Sequence, residues 1–413
     1  MAALLFENLL THCTRIEEMQ EFLPEDEPEN QLAAPNLASD EVFDEEEIEW
    51  LDAPAPKIVH DDREHVKSQE FNDIKLREIC FELQDFFQVV AQKSLERQTT
   101  LLQGLDDFLE RLRRGLRRPN LDLELYGSFV NGFSSITSDL DISIKGCPDI
   151  NPENKAQCHT FLKDRNFGRG SPRCVQHYTE NYGYVRKGRK RVLTSSLKLR
   201  DGSKVNIDVC VDNGLAVANS RLIAAYSKFE NFRTSAFAVK WLAKKLNICD
   251  ASKGSLSAYS YIIMAVASAQ KSGFLPFLQE DAELTPSYIG VCNIAFVVQT
   301  RHGVKAGHAG EIFVHFFQCY YDYFHKKKNR NQEEVIQIRT KIPIKAIDVN
   351  MGKNVNIQDP FELKRNLGDT CNTHFSRVKD FFKYGLRYLR KCEKFSLEEM
   401  YEYINHRATR IAS

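Results

Sequence analysis

The chain has 413 residues, of which 42% are hydrophobic and 27% are charged, and its formal net charge is −1. Its contents of glycine (20), proline (13) and cysteine (11) exclude collagen-like, wholly disordered and disulfide-scaffold proteins. The longest apolar stretch, residues 259–269, is too short to span a membrane, and the acidic N-terminus does not fit a signal peptide. We therefore expect an intracellular protein with reduced thiols and no membrane partner, located in the cytoplasm or alternatively in the nucleus.

Charge is divided unevenly along the chain. Residues 1–56 carry one basic and sixteen acidic side chains, a net charge of −15, whereas the other residues carry 55 basic and 41 acidic side chains, a net charge of +14. Basic clusters at residues 111–118, 186–191 and 326–328 favour a polyanion such as nucleic acid as the partner. Each cluster taken alone is equally typical of a solvated surface.

The first predicted segment, residues 1–65, is acidic, contains several prolines and lacks hydrophobic periodicity, which predicts disorder. It would act as a solubilising leader, a protein-binding tail or an electrostatic mimic of nucleic acid. In the second segment, residues 66–120, apolar residues recur at three- and four-residue steps and predict a helix. A second helical run is predicted over residues 101–116, ending before Pro119, and the whole segment is expected to pack on the second domain.

The third segment, residues 121–218, is predicted to be the catalytic domain and is dominated by strand patterns. Strands are predicted over residues 121–126 and 139–146. A hairpin joins residues 191–199 to residues 204–211 through an Asp-Gly turn.

Helical periodicity returns in the fourth segment, residues 219–413, which is predicted to be a helical nucleotide-recognition domain. The predicted helices cover residues 237–246, 257–269 and 310–323. The order of the elements predicts an α+β protein in which a small sheet domain is inserted into a mostly helical second domain.

Three carboxylates are the candidate catalytic residues. Asp139 and Asp141 are two positions apart in a predicted strand and therefore point to the same side. Asp208, between Ile207 and Val209 in a later strand, would lie on the polar face of the sheet beside them. Like charges placed so closely are tolerated mainly when cations lie between them, and oxygen ligands suit Mg²⁺ or Mn²⁺, which also bind substrate phosphates.

Gly127 and Ser128 precede these aspartates. A Gly-Ser pair forms a tight turn with free backbone N–H groups and a hydroxyl, which suits an anion such as phosphate. A lone D-x-D sequence most often belongs to a surface turn. Together with the Gly-Ser pair and the third carboxylate, however, it favours a metal-dependent phosphoryl-transfer site.

A second cluster is weaker. Cys158, His159, Cys174 and His177 loosely resemble a zinc site, but their spacing does not match a standard finger, so scattered thiols and surface histidines are favoured. The sequence contains no P-loop and no recognisable RNA-reading module. We therefore expect an RNA-binding or adaptor protein to select the targets.

Four ordered motifs carry a resemblance to a known family. They are LYGSFVNGFSSITSDLDISI, NIDVCVDNGLAVANSRLI, FAVKWLAKKLNI with GSLSAYSYIIM, and NIQDPFELKRNLGD. Together they resemble the template-independent terminal RNA nucleotidyltransferases of the DNA polymerase β-like superfamily, which include terminal uridylyltransferases and cytoplasmic-type poly(A) polymerases. The likeness extends over about residues 75–400. It implies a polymerase β-like palm domain, with the active site in the cleft between this domain and the helical domain.

The resemblance implies a role for each motif residue. Asp139 and Asp141 would hold two divalent metal ions, and Asp208 would complete the site of the ion that activates the 3′-hydroxyl of the RNA. The implied nucleotide contacts are Gly127 and Ser128 at the triphosphate, Asn213 and Asn219 at ribose and base, Lys240 and Lys244 at the triphosphate, Ser257 with the base-stacking Tyr259, and Asp359, Glu362 and Arg365 in the recognition motif. Independently of the resemblance, their i and i+4 positions put Lys240 and Lys244 on one helix face. Without the motif they would be interpreted as solvated lysines.

Two departures from the family pattern affect the predicted base. Ala258 stands where the family usually has serine, and Arg365 stands where uridylyltransferases often carry a histidine. The spacing between Glu362 and Asn366 nevertheless resembles the uridylyl type. We therefore predict the addition of uridylyl residues from UTP to the 3′ end of RNA with release of pyrophosphate, the alternative being ATP or relaxed base selection.

Two functions of other classes compete with this prediction. A catalytically inactive scaffold would have no need for three mutually repelling carboxylates. A transferase acting on a small molecule would have no need for the excess of positive charge after residue 56.

Overall fold

The structure is a computed structural model, in which residues 70–413 form one compact unit. It describes residues 71–409 apart from gaps at residues 117–119, 137, 164–183, 187–190, 199–203, 281–283, 299–303, 306, 326–333 and 352–353. The acidic segment 1–65, Cys174, His177 and the lysine cluster 326–328 therefore lie outside the described residues.

Helix α1 (Asp73–Leu116) has 44 residues. Two helical runs are predicted here, but one continuous helix forms, because neither proline nor glycine interrupts residues 91–101. The N-terminal half of α1 buries Ile79 and Leu83 and contacts helices α4 (Glu230–Lys245) and α6 (Ala309–His325). It is therefore part of the helical core.

One mixed sheet follows α1. Its strands are β1 (Asp122–Tyr126), β2 (Leu140–Lys145), β3 (Tyr184–Arg186), β4 (Val192–Lys198) and β5 (Lys204–Val211). Their spatial order is β1-β2-β5-β4-β3, in which β2 and β5 run parallel and all other neighbours run antiparallel. The predicted antiparallel pairing of β4 with β5 is confirmed. Helix α2 (Lys155–Lys163) contacts β3, β4 and β5.

The sheet has one apolar face and one polar face. In β2, Leu140, Ile142 and Ile144 are buried on one side, while Asp141 and Ser143 point to the other. Strand β5 alternates in the same way. This alternation fixes the register, because a slip by one residue would bury carboxylates in the apolar layer.

The remaining helices are α3 (Gly214–Ser227), α4, α5 (Ala258–Lys271), α6, α7 (Phe375–Lys391) and α8 (Leu397–Thr409). Aromatic rings fill the core between α6 and α7, where Phe317 contacts Phe381 and Phe382 at centroid distances of 5.0 and 6.1 Å. Each fully buried phenylalanine contributes about 1.5–3 kcal/mol to stability relative to an exposed side chain.

The predicted helices in the last segment fall on α4, α5 and α6. Helix α3 begins at Gly214, because residues 214–227 are rich in alanine and leucine. The boundary predicted at residue 218 therefore falls inside a helix.

None of the described helices is both long and apolar enough to cross a membrane. The nine cysteines in the described residues are all free thiols.

Candidate active site

Asp141 and Asp208 lie side by side on the polar face of the sheet. They are register partners in the parallel strands β2 and β5, and neighbouring strands are about 4.8 Å apart. Tyr126 lies opposite Asp141 on β1, and Thr194 lies opposite Asp208 on β4. The structure thus brings the two carboxylates together in the middle of a row of side chains that crosses four strands.

Asp139 lies just before β2. The predicted strand includes Asp139, but β2 begins one residue later, at Leu140, and the Asp139 side chain is exposed. Asp139 therefore stays at the solvent edge of the pair, two residues before Asp141.

Gly127 makes room for Asp141. Gly127 has a φ of +72°, and a Cβ atom at this position would come within 1.9 Å of Asp141 Oδ2. Only glycine combines that backbone conformation with so close an approach. The turn that begins here, Gly127–Phe129, carries Ser128 next to the carboxylate pair.

The expectation that both N–H groups of the Gly-Ser turn are free is wrong for Gly127. Its N–H donates to Ser220 Oγ on α3 at 2.7 Å. The Ser220 hydroxyl in turn donates to the Ala216 carbonyl. The sequence separation between Gly127 and Ser220 hides this contact from motif reasoning, and its effect is to attach the turn to α3.

Asp208 is oriented by a neighbour that sequence analysis does not identify. Thr194 Oγ1 donates to Asp208 Oδ1 at 2.8 Å. Strand alternation in β4 places Thr194 on the polar face, but its partner becomes known only from the register of β4 against β5.

A buried network lies behind the carboxylates. The Tyr126 hydroxyl lies 3.4 Å from Cys210 Sγ and hydrogen-bonds the side chain of Asn213. Burial raises the pKa of Tyr126, and the neighbouring Cys210 and Asp141 raise it further. The Asn213 N–H donates to Ser143 Oγ at 2.8 Å, which fixes Asn213 at the start of α3.

Lys240 and Lys244 occupy one face of α4 but differ in exposure. Lys244 is exposed, whereas Lys240 is 4% exposed and donates to the Phe133 carbonyl. Burial and, to a smaller extent, Lys244 lower the pKa of Lys240 to about 7, with Cys249 and Asp141 acting in the opposite direction. Lys240 therefore lies within electrostatic reach of the carboxylate pair.

The recognition motif folds into a second cluster. Asp359 is fully buried, and its Oδ1 accepts the N–H groups of Phe361 and Glu362 at 3.0 Å each. Arg365 Nη1 lies 2.8 Å from Glu362 Oε2 and 3.4 Å from Asp359 Oδ2. Burial raises the pKa of Asp359, although these hydrogen bonds and Arg365 oppose the rise.

Tyr259 joins this cluster from α5. Burial raises the pKa of its hydroxyl, which is further influenced by Asp359, Arg365 and Glu362. The Tyr259 hydroxyl is buried and has no hydrogen-bond partner in the described part of the chain. The same is true of Asn219 Oδ1 on α3. Buried polar atoms are normally paired, so both atoms are available to a ligand.

Ser257 caps a helix. Its hydroxyl accepts the N–H of Ser260 at 3.0 Å and so forms the N-cap of α5, the helix that carries Tyr259. The structure thus gives Ser257 a positioning role beside the predicted nucleotide contact.

A short hairpin connects the two clusters. Its strands are β6 (Tyr288–Ile289) and β7 (Cys292–Asn293). Ile289 of this hairpin lies beside the start of α3, since a Cβ at Gly214 would come within 3.1 Å of its side chain. Burial raises the pKa of the Cys292 thiol, and the carboxylates of Glu362 and Asp359 raise it further. The hairpin therefore extends from the start of α3 to the recognition motif.

Two adjacent carboxylates, Asp141 and Asp208, are the part of the predicted metal site that the structure brings together. No group of three or more His, Cys, Asp or Glu side chains in the described residues is gathered closely enough to hold a metal ion. Mg²⁺ is usually held by one or two carboxylates, with water and substrate phosphates as the other ligands. The adjacent carboxylates of Asp141 and Asp208, with Asp139 at their edge, match that mode of binding.

Comparison with known proteins shows which proteins this chain resembles. Residues 80–228 match the family described as "Poly(A) RNA polymerase, mitochondrial-like, central palm domain". Human Terminal uridylyltransferase 7 is 28% identical over 295 residues, which cover 64% of this chain and 18% of that protein. Human Poly(A) RNA polymerase GLD2 is 30% identical over 209 residues, or 46% of this chain and 41% of that protein. The chain is thus similar to terminal nucleotidyltransferases of both the uridylyl and the poly(A) type.

Solved structures confirm the predicted α+β fold. The crystal structure of the Cid1 poly(U) polymerase superposes with a TM-score of 0.65 at 18% identity and covers 80% of this chain and 99% of that chain. A cytoplasmic RNA terminal U-transferase superposes with a TM-score of 0.61, also at 18% identity, and covers 79% of this chain and 98% of that chain. The curated relatives are longer, since this chain spans less than a fifth of Terminal uridylyltransferase 7.

Proposed function

We propose that this protein is an RNA terminal nucleotidyltransferase that adds uridylyl residues from UTP to the 3′ end of RNA without a template and releases pyrophosphate. The adjacent pair Asp141 and Asp208 on the polar face of the sheet carries the proposal. The relatives of this chain include a terminal uridylyltransferase and a poly(A) RNA polymerase, so both UTP and ATP are substrates among them.

Asp139, Asp141 and Asp208 would hold Mg²⁺ or Mn²⁺. When bound, such ions lower the pKa of the attacking 3′-hydroxyl and neutralise charge on the leaving pyrophosphate. The chain itself orients the carboxylates: Thr194 fixes one oxygen of Asp208, and the absence of a side chain at Gly127 leaves space for Asp141. Related Cid1 structures were solved with magnesium and a nucleotide.

Cationic groups of α4 would compensate the charge of the triphosphate. Lys240 and Lys244 lie on the helix face near Asp141, and Lys244 is exposed. The triphosphate would draw a proton onto Lys240, since a nearby anion favours the charged form of a buried lysine. Ser128 offers a hydroxyl next to the same position.

The recognition cluster would bind the base and ribose. Tyr259 and Asn219 have buried polar atoms without partners, as expected for residues that await a ligand. Arg365 adds a guanidinium beside them that is already paired with Asp359 and Glu362. We infer that this bulk reduces the space for a purine and so favours UTP over ATP.

RNA is the proposed acceptor. The region beyond residue 56 has an excess of positive charge, and a Cid1 structure contains the short product ApU. No RNA-reading module is recognisable in the sequence, so the proposal includes an RNA-binding or adaptor protein that selects the targets.

Incubation of the purified protein with a labelled oligoribonucleotide and each nucleoside triphosphate in turn tests the proposal. Extension with UTP and Mg²⁺ or Mn²⁺, abolished by chelation and by Asp141→Ala, is expected. Preferred extension with ATP would favour the poly(A)-type alternative. Absence of extension with all four nucleotides would favour an inactive scaffold.

A further inference from the structure

Helix α7 has two chemically different faces. One face is apolar and packs on α6 and α8 through residues such as Phe381, Phe382 and Leu389, which are fully buried. The opposite face carries four cationic side chains, Lys379, Lys383, Arg387 and Arg390, which we call the basic stripe.

Helix geometry aligns the members of the basic stripe. Successive members are four, four and three residues apart, so they follow one side of the helix over about 16 Å at 1.5 Å per residue. This spacing places consecutive charges about one helical turn apart. It suits a partner whose own charges recur along a line.

The basic stripe is not neutralised within the described residues. No carboxylate lies within 4.0 Å of its four side chains there, whereas Lys271 and Lys305 form ion pairs with Glu334 and Glu311 at 2.7 and 3.0 Å. The Nε atoms of Arg387 and Arg390 are buried and have no acceptor in this part of the chain. These two donors therefore lack a partner.

Asp322 and Glu334 line a pocket together with Arg390, and Glu334 is already paired with Lys271. Asp380 is the one acidic residue of α7. Burial raises its pKa, while Lys383, His325 and Lys379 lower it. The residues between the members of the stripe are buried apart from the half-buried Asp380, so this side of α7 offers solvent no apolar patch of the kind found at the core of a protein–protein interface.

We propose that the basic stripe binds the phosphate backbone of the RNA substrate upstream of its 3′ end. The proposal rests on the proposed function for the class of substrate, but the evidence for it lies outside the catalytic clusters. Phosphates recur along an extended strand at a spacing similar to one helical turn, and backbone contacts are independent of base sequence. The stripe would therefore strengthen binding of long RNAs without affecting the choice of nucleotide.

Salt dependence of RNA binding provides the test. Fluorescence anisotropy of a labelled 20-nucleotide RNA, without nucleoside triphosphate, would compare the full chain with Lys379→Gln/Lys383→Gln/Arg387→Gln/Arg390→Gln. For single strands, each phosphate contact contributes about 0.7 to the slope of log K against log salt, so the slope should fall by up to about 3. At low salt the affinity should fall at least tenfold.

A matched control removes the same charge elsewhere. Lys93, Lys155, Lys228 and Lys341 are exposed and lie on four different elements or loops. Their fourfold substitution by glutamine should change the slope by less than 1. An equal decrease of the slope in both variants would show that the stripe contributes only through the net positive charge of the chain. An unchanged slope in the stripe variant would show that RNA does not contact the stripe, which would then face solvent or an acidic protein. Either outcome overturns the proposal.

Two further measurements separate the possible failures. Lys379→Gln/Lys383→Gln spares the buried arginine Nε atoms and should keep the fold while lowering the slope by about 1.4. Incorporation of UTP onto a dinucleotide primer should stay at the wild-type rate in both stripe variants. If the wild type adds no nucleotide but the slope is still lower in the stripe variants, the proposed function is wrong and the proposed contact between RNA and the stripe is retained.

Discussion

The carboxylate of Asp141 lies against the Cα atom of Gly127. A Cβ atom at Gly127 would come within 1.9 Å of Asp141 Oδ2, and the φ of Gly127 is +72°. The glycine therefore sets the position of a candidate metal ligand as well as the shape of a turn. This contact explains in steric terms why the Gly-Ser pair and the aspartates occur together.

Gly127→Ala should move the Asp141 carboxylate and lower activity strongly. A displacement of about 1 Å at a reacting centre can cost about 100-fold in rate. Gly273→Ala is a matched control, because Gly273 has a φ of +76° with nothing within 4 Å of a Cβ. The control should lose only about 1–2 kcal/mol of unfolding free energy from the backbone conformation and keep its activity. Equal kcat/KM in the two variants would contradict the steric argument.

Asp139→Ala and Asp141→Ala should each abolish nucleotide addition and leave the fold intact. Removal of one of several neighbouring like charges should leave the Tm of the metal-free protein unchanged or raise it, because carboxylate repulsion is relieved. Mn²⁺ should raise the Tm of the wild type and should raise that of the variants less. Nucleotide addition at the wild-type rate by either variant would refute the metal-site assignment.

Thr194→Val should weaken the orientation of Asp208. The substitution keeps the shape of the side chain but removes the donor to Asp208 Oδ1. We expect a loss of about 1 kcal/mol of unfolding free energy and roughly tenfold in kcat. Thr194→Ser retains the hydroxyl and should restore most of the activity. If valine and serine behave alike, the hydrogen bond has no role in orientation.

Lys240→Met should change the pH dependence of stability. The pKa of Lys240 is lowered to about 7 in the folded chain, whereas an unfolded lysine titrates near 10.4. Between these values the unfolded chain binds more protons, so the unfolding free energy of the wild type rises with pH, by at most about 1.4 kcal/mol per unit.

The stability of Lys240→Met relative to the wild type should therefore be greatest near pH 7 and decrease toward pH 8.5. Denaturant unfolding at several pH values measures this difference. Lys244→Met provides a graded comparison, since it removes one of the two causes that lower the pKa of Lys240 and should weaken the pH dependence without abolishing it. A flat difference for Lys240→Met would mean that the lysine is not desolvated.

Arg365→Ala should raise the use of ATP relative to UTP. Arg365 is held by Asp359 and Glu362, so its removal enlarges the space beside Tyr259 and takes a cation away from two carboxylates. Differences of about 1–3 kcal/mol, or roughly tenfold to a few hundredfold, are typical of such discrimination. The ratio of kcat/KM for UTP and ATP on one primer measures it. A wild-type ratio that favours ATP would overturn the uridylyl assignment.

Sequence reasoning was most successful where strand alternation applied. The two-residue period places Asp141 and Asp208 on the polar face, and the β4–β5 pairing follows from a turn signal. Prediction from the sequence was incomplete where a site residue contacts a partner that is distant in the sequence. Neither the occupation of the Gly127 N–H by Ser220 nor the contact between Thr194 and Asp208 can be predicted without the packing of α3 and the strand register.

The lysines of α4 show a related limit. Helical periodicity correctly puts Lys240 and Lys244 on one face, but it carries no information about what covers that face. Phe133, from a loop that follows β1, accepts the hydrogen bond of Lys240 and takes it out of water, so two lysines on one face become chemically different.

The position of α1 has a consequence for synthesis on the ribosome. Near its N-terminal end, Glu78 accepts the N–H of Phe395 and Glu82 accepts the N–H of Leu397, while Gly310 packs against the backbone at Leu76. The two hydrogen bonds cannot form until more than 300 further residues have been translated, which takes on the order of tens of seconds at about 5–20 residues per second. During that interval the sheet can fold from contiguous chain, whereas the first helix waits for the last part of the chain to be made.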